Sequence, residues 1–129
     1  MSTERQDLNQ RTKRFALDTI QLCSELPNKP AGWILGKQLL RSGTSIGANY
    51  REAQRARTDA ELLSKIHIVQ QEIEETVYWL ELILESGLAV NELVNHLTKE
   101  VQEFRAMFIA MARNVSTRIG TPARSNVAQ

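Results

Sequence analysis

The chain has 129 residues, 16 of them Lys or Arg and 15 Asp or Glu, so its net charge is +1. This length is expected of one domain with a real hydrophobic core, and a single cysteine excludes an internal disulfide. No apolar run is long enough to cross a membrane, and the N-terminus lacks the apolar segment of a signal peptide. We therefore expect a cytoplasmic protein of bacterial type with no membrane partner.

The near-neutral total conceals two oppositely charged segments. Residues 27–58 contain six Lys or Arg and one acidic residue, whereas residues 59–88 contain one Lys and seven acidic residues. Two interpretations follow. Either a basic helix lies beside an acidic one and the two partly neutralise each other, or the basic segment offers a surface to a polyanion.

The first predicted helix covers residues 8–26. Residues at three- and four-residue spacing are assigned to one buried face: Leu8, Phe15, Ala16, Ile20, Leu22, Cys23 and Leu26. Pro27 and Pro30 end this helix because proline lacks a backbone donor and restricts the residue before it. Cys23 is interpreted as a core residue, since neither histidine is near it in sequence to generate a thiolate.

The second predicted helix covers residues 31–55. On a wheel of about 100° per residue, an apolar face lies opposite a basic stripe. The apolar face consists of Leu35, Leu39, Ile46, Tyr50 and Ala53, and the stripe of Lys37, Arg41, Arg51 and Arg55. Because both patterns continue across the glycines, they favour one uninterrupted helix.

Small residues on one flank of this helix predict close contact with another helix. Gly36, Gly43 and Gly47 share that flank, Ile46 packs beside them, and Asn49 is expected to form a buried or interface hydrogen bond. The segment SGTSIGANY is not a P-loop, since its glycines are four residues apart and no lysine follows the second. A helix-terminus anion site remains the alternative, if a hydroxyl residue breaks the helix here.

The third predicted helix covers residues 59–86, with Thr58 or Asp59 as its N-cap and Gly87 after its end. Its seam follows an alternating four-three spacing: Leu62, Ile66, Val69, Ile73, Thr76, Leu80 and Ile83. The other side carries Ile68, Trp79 and Leu82 among glutamates that include Glu75. This second apolar patch predicts contact with another subunit, although single apolar residues are also common on surfaces.

The fourth predicted helix covers residues 90–117, with Asn91 as a candidate N-cap. It repeats the four-three spacing at Val90, Val94, Leu97, Val101, Phe104, Phe108, Met111 and Val115. Residues 120–129 are polar and are predicted to form a flexible tail. Four amphipathic helices without a strand pattern predict an all-α, antiparallel up-down four-helix bundle in a single domain, residues 1–119.

The sequence offers little for catalysis. Ferritin-like bundles place metals with Glu-x-x-His pairs, and neither His67 nor His96 has a glutamate three residues before it. Glu74, Glu81 and Glu85 form an acidic stripe that we interpret as solvated or ion-paired. We therefore expect a non-enzymatic protein without a cofactor or metal.

Three segments carry a resemblance to a known family. They are QLLRSGTSIGANYREAQRA in the second helix, the LP near the end of the first, and EETVYWLELILESG in the third. Together they resemble the 23S rRNA intervening-sequence proteins over residues 12–115. The matching positions are Arg41, Ser42, Gly43, Thr44, Ser45, Ile46, Ala48, Asn49 and Glu52, with Glu75, Thr76, Trp79 and Glu81 in the third helix.

This resemblance implies an antiparallel four-helix bundle that commonly assembles as a ring-like homopentamer in bacteria. It implies no catalytic role for the matching residues. The family is similar in fold to the accessory variability protein of diversity-generating retroelements, a basic pentamer that binds nucleic acid and a reverse transcriptase. This chain departs from those accessory proteins because it is nearly neutral.

Two functional hypotheses remain open. The first is a homo-oligomeric structural or interaction protein that binds another protein, with subunits joined through Ile68, Glu75, Trp79 and Leu82 and through complementary basic and acidic helices. The second is a module that binds RNA or DNA. Its phosphate contacts would come from Lys37, Arg41, Arg51, Arg55 and Arg57, and would add up over the copies in a ring.

Overall fold

The computed structural model describes the backbone of residues 2–128 and the side chains of residue 5 and residues 7–120. Four helices follow one another: α1 (Ser2–Glu25), α2 (Pro30–Ala53), α3 (Asp59–Glu85) and α4 (Glu92–Ala128). No strand occurs between residues 2 and 128. Among the described helices, none combines the length and apolarity needed to span a bilayer.

The starts of three helices follow from local sequence. Pro30 occupies the first position of α2, where its missing N–H costs nothing. The backbone N–H of Glu61 donates to the Thr58 hydroxyl at 3.0 Å, so Thr58 is the N-cap of α3. The Val94 N–H donates to the Asn91 side chain at 2.9 Å and caps the start of α4 in the same way.

The end of α3 is a Schellman motif. Gly87 adopts a φ of +79°, and the N–H of Leu88 donates to the carbonyl of Ile83 at 3.1 Å. The left-handed conformation favours glycine because it has no Cβ. The chain then passes through Val90, which was predicted to open the fourth helix; it lies in the connection instead and is 71 % exposed.

The other predicted boundaries differ at the helix ends. α1 begins at Ser2, before the predicted residue 8, and α2 ends at Ala53 rather than at 55. The backbone of α4 is helical to Ala128. The predicted flexibility of residues 120–129 stays a prediction, since the side chains of 121–129 lie outside the described part.

One hydrophobic core is shared by all four helices. The predicted seams of α3 and α4 supply most of it, and α1 and α2 complete it with Leu8, Phe15, Leu22, Leu39, Ile46 and Tyr50. Two edge-to-face aromatic pairs lie inside, Phe15 with Phe104 at 5.4 Å and Tyr50 with Phe108 at 5.3 Å between ring centroids. The all-α fold of four helices is confirmed, and its packing is consistent with a bundle.

The buried face of α1 differs from the prediction in one respect. Ile20 is 48 % exposed, although its spacing assigned it to the core. Thr12 and Thr19 are fully buried in its place. The hydroxyl of Thr19 donates to the Phe15 carbonyl at 2.8 Å, so this buried polar group is satisfied within its own helix.

Candidate interaction surface on helices α2 and α3

The glycine-rich segment lies inside one uninterrupted helix. Three side chains donate hydrogen bonds back to carbonyls of α2: Thr44 to Leu40 at 2.7 Å, Ser45 to Arg41 at 2.6 Å, and Asn49 to Ser45 at 2.9 Å. The alternative of an anion site at a helix terminus is therefore wrong for this segment, because α2 has no terminus between Pro30 and Ala53.

Two of these glycines face α1. A Cβ on Gly43 would lie 2.9 Å from Thr19 Cγ2, and a Cβ on Gly47 would lie 3.0 Å from Thr12 Oγ1. Gly36 is also buried, and a Cβ there would lie 3.2 Å from Leu26 Cδ1. The glycines thus occupy the side of α2 that packs against α1, and the opposite flank is left to contact α3.

A buried hydroxyl pair fixes α2 against α3. Ser42 and Thr76 are both nearly inaccessible, and their hydroxyl oxygens lie 2.9 Å apart. Towards the end of α2, Lys65 Nζ lies 3.2 Å from Glu52 Oε1. The Ser42–Thr76 contact joins the two segments that carry the family resemblance, so these segments form one surface of the bundle.

The basic stripe of α2 lies on the outer side of this surface. Lys37, Arg41, Arg51 and Arg55 are exposed, and so is Arg57 in the turn after the helix. None of these five side chains forms an ion pair with a residue that the structure describes.

The same outer side carries apolar residues that sequence reasoning missed. Trp33 is 59 % exposed, and the adjacent Ile34 is also exposed. Both lie within about 60° of Lys37 on the helical wheel. The helical wheel alone could therefore have placed these two residues on the outer side of α2, opposite the apolar face.

The predicted interface residues of α3 border the other edge of this surface. Ile68, Glu75, Trp79 and Leu82 are half-buried, and Trp79 packs against the core. The Trp79 indole Nε1 is shielded from solvent and has no hydrogen-bond partner among the described residues. Its ring lies 5.2 Å from that of Tyr78, the more exposed aromatic residue on this helix.

Glu72 lies on the same edge and its environment disfavours its charge. One carboxylate oxygen is buried without a hydrogen-bond partner in the described part of the chain. Burial, and then the negative charge of Glu75, raise the pKa of Glu72, while the positive charge of Arg41 lowers it. The sequence alone did not single out Glu72, because burial of a single oxygen has no sequence pattern.

The acidic residues of α3 neutralise the stripe of α2 only in part, through the electrostatic interaction of Glu72 with Arg41. Glu74 pairs with Arg105 of α4 at 2.6 Å. Glu81 and Glu85 are exposed and form no ion pair with any described residue. Unpaired cations on α2 and unpaired carboxylates on α3 therefore coexist on one chain.

Elsewhere the described residues offer little reactive chemistry. Burial raises the pKa of the Cys23 thiol to about 11, so it is not a thiolate at neutral pH. No group of metal-ligating residues occurs in the described part of the chain. A cleft of about 770 Å³ lies where α1 begins and α2 ends, with Leu62 and Met111 in its wall and the Asp59–Arg118 pair at 2.9 Å beside them.

Comparisons with known proteins agree with the resemblance noted in the sequence. The family described as 23S rRNA-intervening sequence protein matches residues 4–110. A crystal structure of a protein with unknown function from the S23 ribosomal protein family, from Bacteroides thetaiotaomicron VPI-5482, is similar with a TM-score of 0.74 and 34 % identity. The match covers 81 % of this chain and 96 % of that one. Among curated proteins, none matches this chain.

Proposed function

Because this chain belongs to the 23S rRNA-intervening sequence protein family, we propose that it is a non-enzymatic bacterial cytoplasmic protein that acts by assembling and by binding another macromolecule. Its subunit is an antiparallel up-down bundle, and its assembly is a ring-like homopentamer, the number that the family resemblance implies. The observation that carries the proposal is the coexistence of unpaired cations on α2 and unpaired carboxylates on α3.

Contacts between helices support the antiparallel arrangement. In each adjacent pair, a contact further along one helix is matched by a residue earlier in the other helix, so the two chain directions are opposite. The contacts are Asn9 with Gln54 and Cys23 with Gly36; Glu52 with Lys65 and Ser42 with Thr76; Asp59 with Arg118 and Glu74 with Arg105; and Arg11 with Glu103 and Asp18 with His96.

Charge complementarity supports assembly between two different surfaces. The end of α2 with Arg51, Arg55 and Arg57 on one copy faces the outer side of α3 with Glu81 and Glu85 on the next. Such a contact joins unlike surfaces, so repeated addition closes into a ring when the rotation permits. The half-buried apolar residues at the edge of α3 supply the desolvated centre of this interface.

Reversal of one charge tests this assembly. Arg51→Glu places a carboxylate against the acidic residues of the neighbouring α3, so we expect a smaller mass by light scattering, towards the 14.6 kDa subunit. Arg113→Glu is the matched control, since Arg113 is exposed on α4 and also forms no ion pair with a described residue. If both variants keep the parent mass, the end of α2 is not part of the interface.

A second candidate function is binding of RNA or DNA, and the exposed, unpaired state of Lys37 and Arg41 favours it. Both lie on the first half of α2, away from the interface proposed for its second half. Weak phosphate contacts on each subunit would add over the copies of a ring.

Salt dependence tests this second candidate. Because phosphate contacts release counterions and add over the copies of a ring, affinity for a structured RNA should fall as salt is raised above about 50 mM. Lys37→Glu with Arg41→Glu should weaken binding and reduce the salt dependence, whereas Arg113→Glu should leave both unchanged. Absence of measurable binding by the parent protein at about 50 mM salt would rule the candidate out.

A further inference from the structure

Four residues form a regular line along the first half of α2. Lys29 is the N-cap of α2, and Trp33, Lys37 and Arg41 follow inside the helix at four-residue intervals, so each of these three lies about 6 Å beyond the one before it. All four residues are exposed. We propose that this line binds a single-stranded nucleic acid, with Trp33 stacking on an unpaired base and the cations contacting phosphates. The inference rests on the nucleic-acid candidate above and specifies the kind of strand.

Trp33 is held in a conformation suited to stacking. Its indole N–H donates to the Asn28 side chain at 2.7 Å, in the turn between α1 and α2. The polar atom of the ring is therefore satisfied inside the chain, while 59 % of the residue stays exposed. A ring fixed before binding loses little conformational entropy when it meets a base.

Trp33 is not required by the core. The residues of α2 that line the core are on the opposite side, among them Leu39 and Ile46. An exposed tryptophan normally carries a hydration cost that a smaller residue would avoid. The ring of Trp33 has no packing role in the described core of the subunit, so contact with a ligand would explain its presence.

The cations beside Trp33 are free to contact phosphates. Lys29, Lys37 and Arg41 form no ion pair with any residue that the structure describes. Glu52, the acidic residue of α2, is already paired with Lys65. Arg41 interacts electrostatically with Glu72, so we expect the two lysines to contribute more than Arg41.

The alternation of cations and an aromatic ring favours a single strand over a duplex. In a duplex the faces of the bases are already stacked, and a flat ring outside the helix gains nothing from them. In a single strand each base offers a free face, and stacking on an aromatic side chain is tolerant of sequence. Cations without an aromatic ring would bind the phosphates of a single strand and of a duplex alike.

The test compares probes that differ in whether an unpaired base is available for stacking. We would titrate the protein with a single-stranded RNA of about ten nucleotides, an abasic strand of equal length, and the corresponding duplex. The parent protein should bind the single strand most tightly, with quenching of tryptophan fluorescence. Trp33→Ala should lose that quenching and about 5- to 100-fold in affinity for the single strand, with its affinity for the abasic strand unchanged.

Two further variants separate stacking from other roles of Trp33. Trp33→Phe keeps a ring and should retain most of the affinity. Ile34→Ala removes an exposed apolar side chain from the next position and should change affinity within about twofold. Lys37→Glu should weaken binding of all three probes, because it removes a phosphate contact.

Each opposite result has a distinct meaning. If Trp33→Ala binds the single strand like the parent while Lys37→Glu does not, the nucleic-acid function stands and stacking is wrong. If Trp33→Ala instead lowers the mass of the assembly, Trp33 lies between copies and the inference is overturned. If the parent binds none of the three probes at about 50 mM salt, the inference fails together with the function on which it rests.

Discussion

Glu72 shows how one side chain can make stability depend on pH. A buried carboxylate oxygen without a donor carries a desolvation cost whenever the group is ionised, and the positive charge of Arg41 offsets that cost only in part. The pKa of Glu72 is therefore raised in the folded chain, mainly by burial and then by Glu75. The folded state binds its proton more tightly than the unfolded state does.

The sign of the pH effect follows from this difference. Between the ordinary glutamate pKa and the raised one, the folded state holds more protons, so the free energy of unfolding falls as pH rises through that window. Glu72→Gln removes the titration and should raise the melting temperature at pH 7, with a smaller gain below pH 4.5. Thermal melts of the parent and variant across this range provide the measurement.

Glu25→Gln is the control, since Glu25 is an exposed carboxylate on α1, outside the proposed interface. It should change the melting temperature little at either pH. An equal gain from both substitutions would show that the higher melting temperature comes from the loss of a negative charge in general rather than from burial of Glu72.

At the scale of helices, the contact of α1 with α2 depends on the absence of side chains at the glycines. Gly43→Ala places a Cβ within 2.9 Å of Thr19 Cγ2, and Thr19 is fully buried. We expect a net loss of about 1–2 kcal/mol in the free energy of unfolding, after the roughly 1 kcal/mol gained because alanine is the better helix former. Urea denaturation measures this loss.

Thr19→Ser provides the matched test of the mechanism because it removes Cγ2 and keeps the hydroxyl. In the Gly43→Ala background it should recover part of the stability, whereas alone it should destabilise the chain. Additive effects of the two substitutions would show that they do not act through one contact.

Periodicity predicted the four helices because their burial is dominated by repeated apolar residues such as Ile66 and Phe104. Periodicity did not predict burial correctly where burial depends on the residues of the neighbouring helix. Thr12 and Thr19 are buried because the glycines of α2 leave room beside them, and a hydrophobic pattern scores threonine as polar. Ile20 fits the spacing of α1, yet it is exposed because the core takes Thr19 and Leu22 instead.

The candidate site was predicted less completely than the fold. The exposure of Arg51 followed from the wheel, since charged side chains avoid the apolar face. The fixed orientation of Trp33 did not, because its hydrogen bond to Asn28 depends on how the chain turns between α1 and α2. The sequence also could not reveal that Glu74 is paired with Arg105, which requires the position of α4.

At the scale of the whole molecule, the separated charges of α2 and α3 support the proposed association of copies. Trp79 lies at the edge between them, partly packed against the core. Trp79→Ala should therefore yield smaller species in sedimentation velocity, and should also lower the free energy of unfolding by about 2 kcal/mol through lost packing. Sedimentation is measured well below the melting temperature, so that unfolding does not contribute.

Tyr78→Ala is the control for this prediction, since Tyr78 is the adjacent and more exposed aromatic residue. It should cost less stability than Trp79→Ala. A Trp79→Ala variant that sediments like the parent would show that Trp79 stabilises the subunit without joining copies.

The burial of Cys23 has a practical consequence. Its Sγ donates to the Gly36 carbonyl at 3.2 Å, and its raised pKa keeps it protonated at neutral pH, so it reacts slowly with maleimides. A cysteine introduced at the exposed Ala106 of α4, outside the proposed interface, would react first, and the native thiol could stay in place. In a ring, spin labels at that position would mark the corners of a regular polygon, and the distances between them would give the number of copies directly.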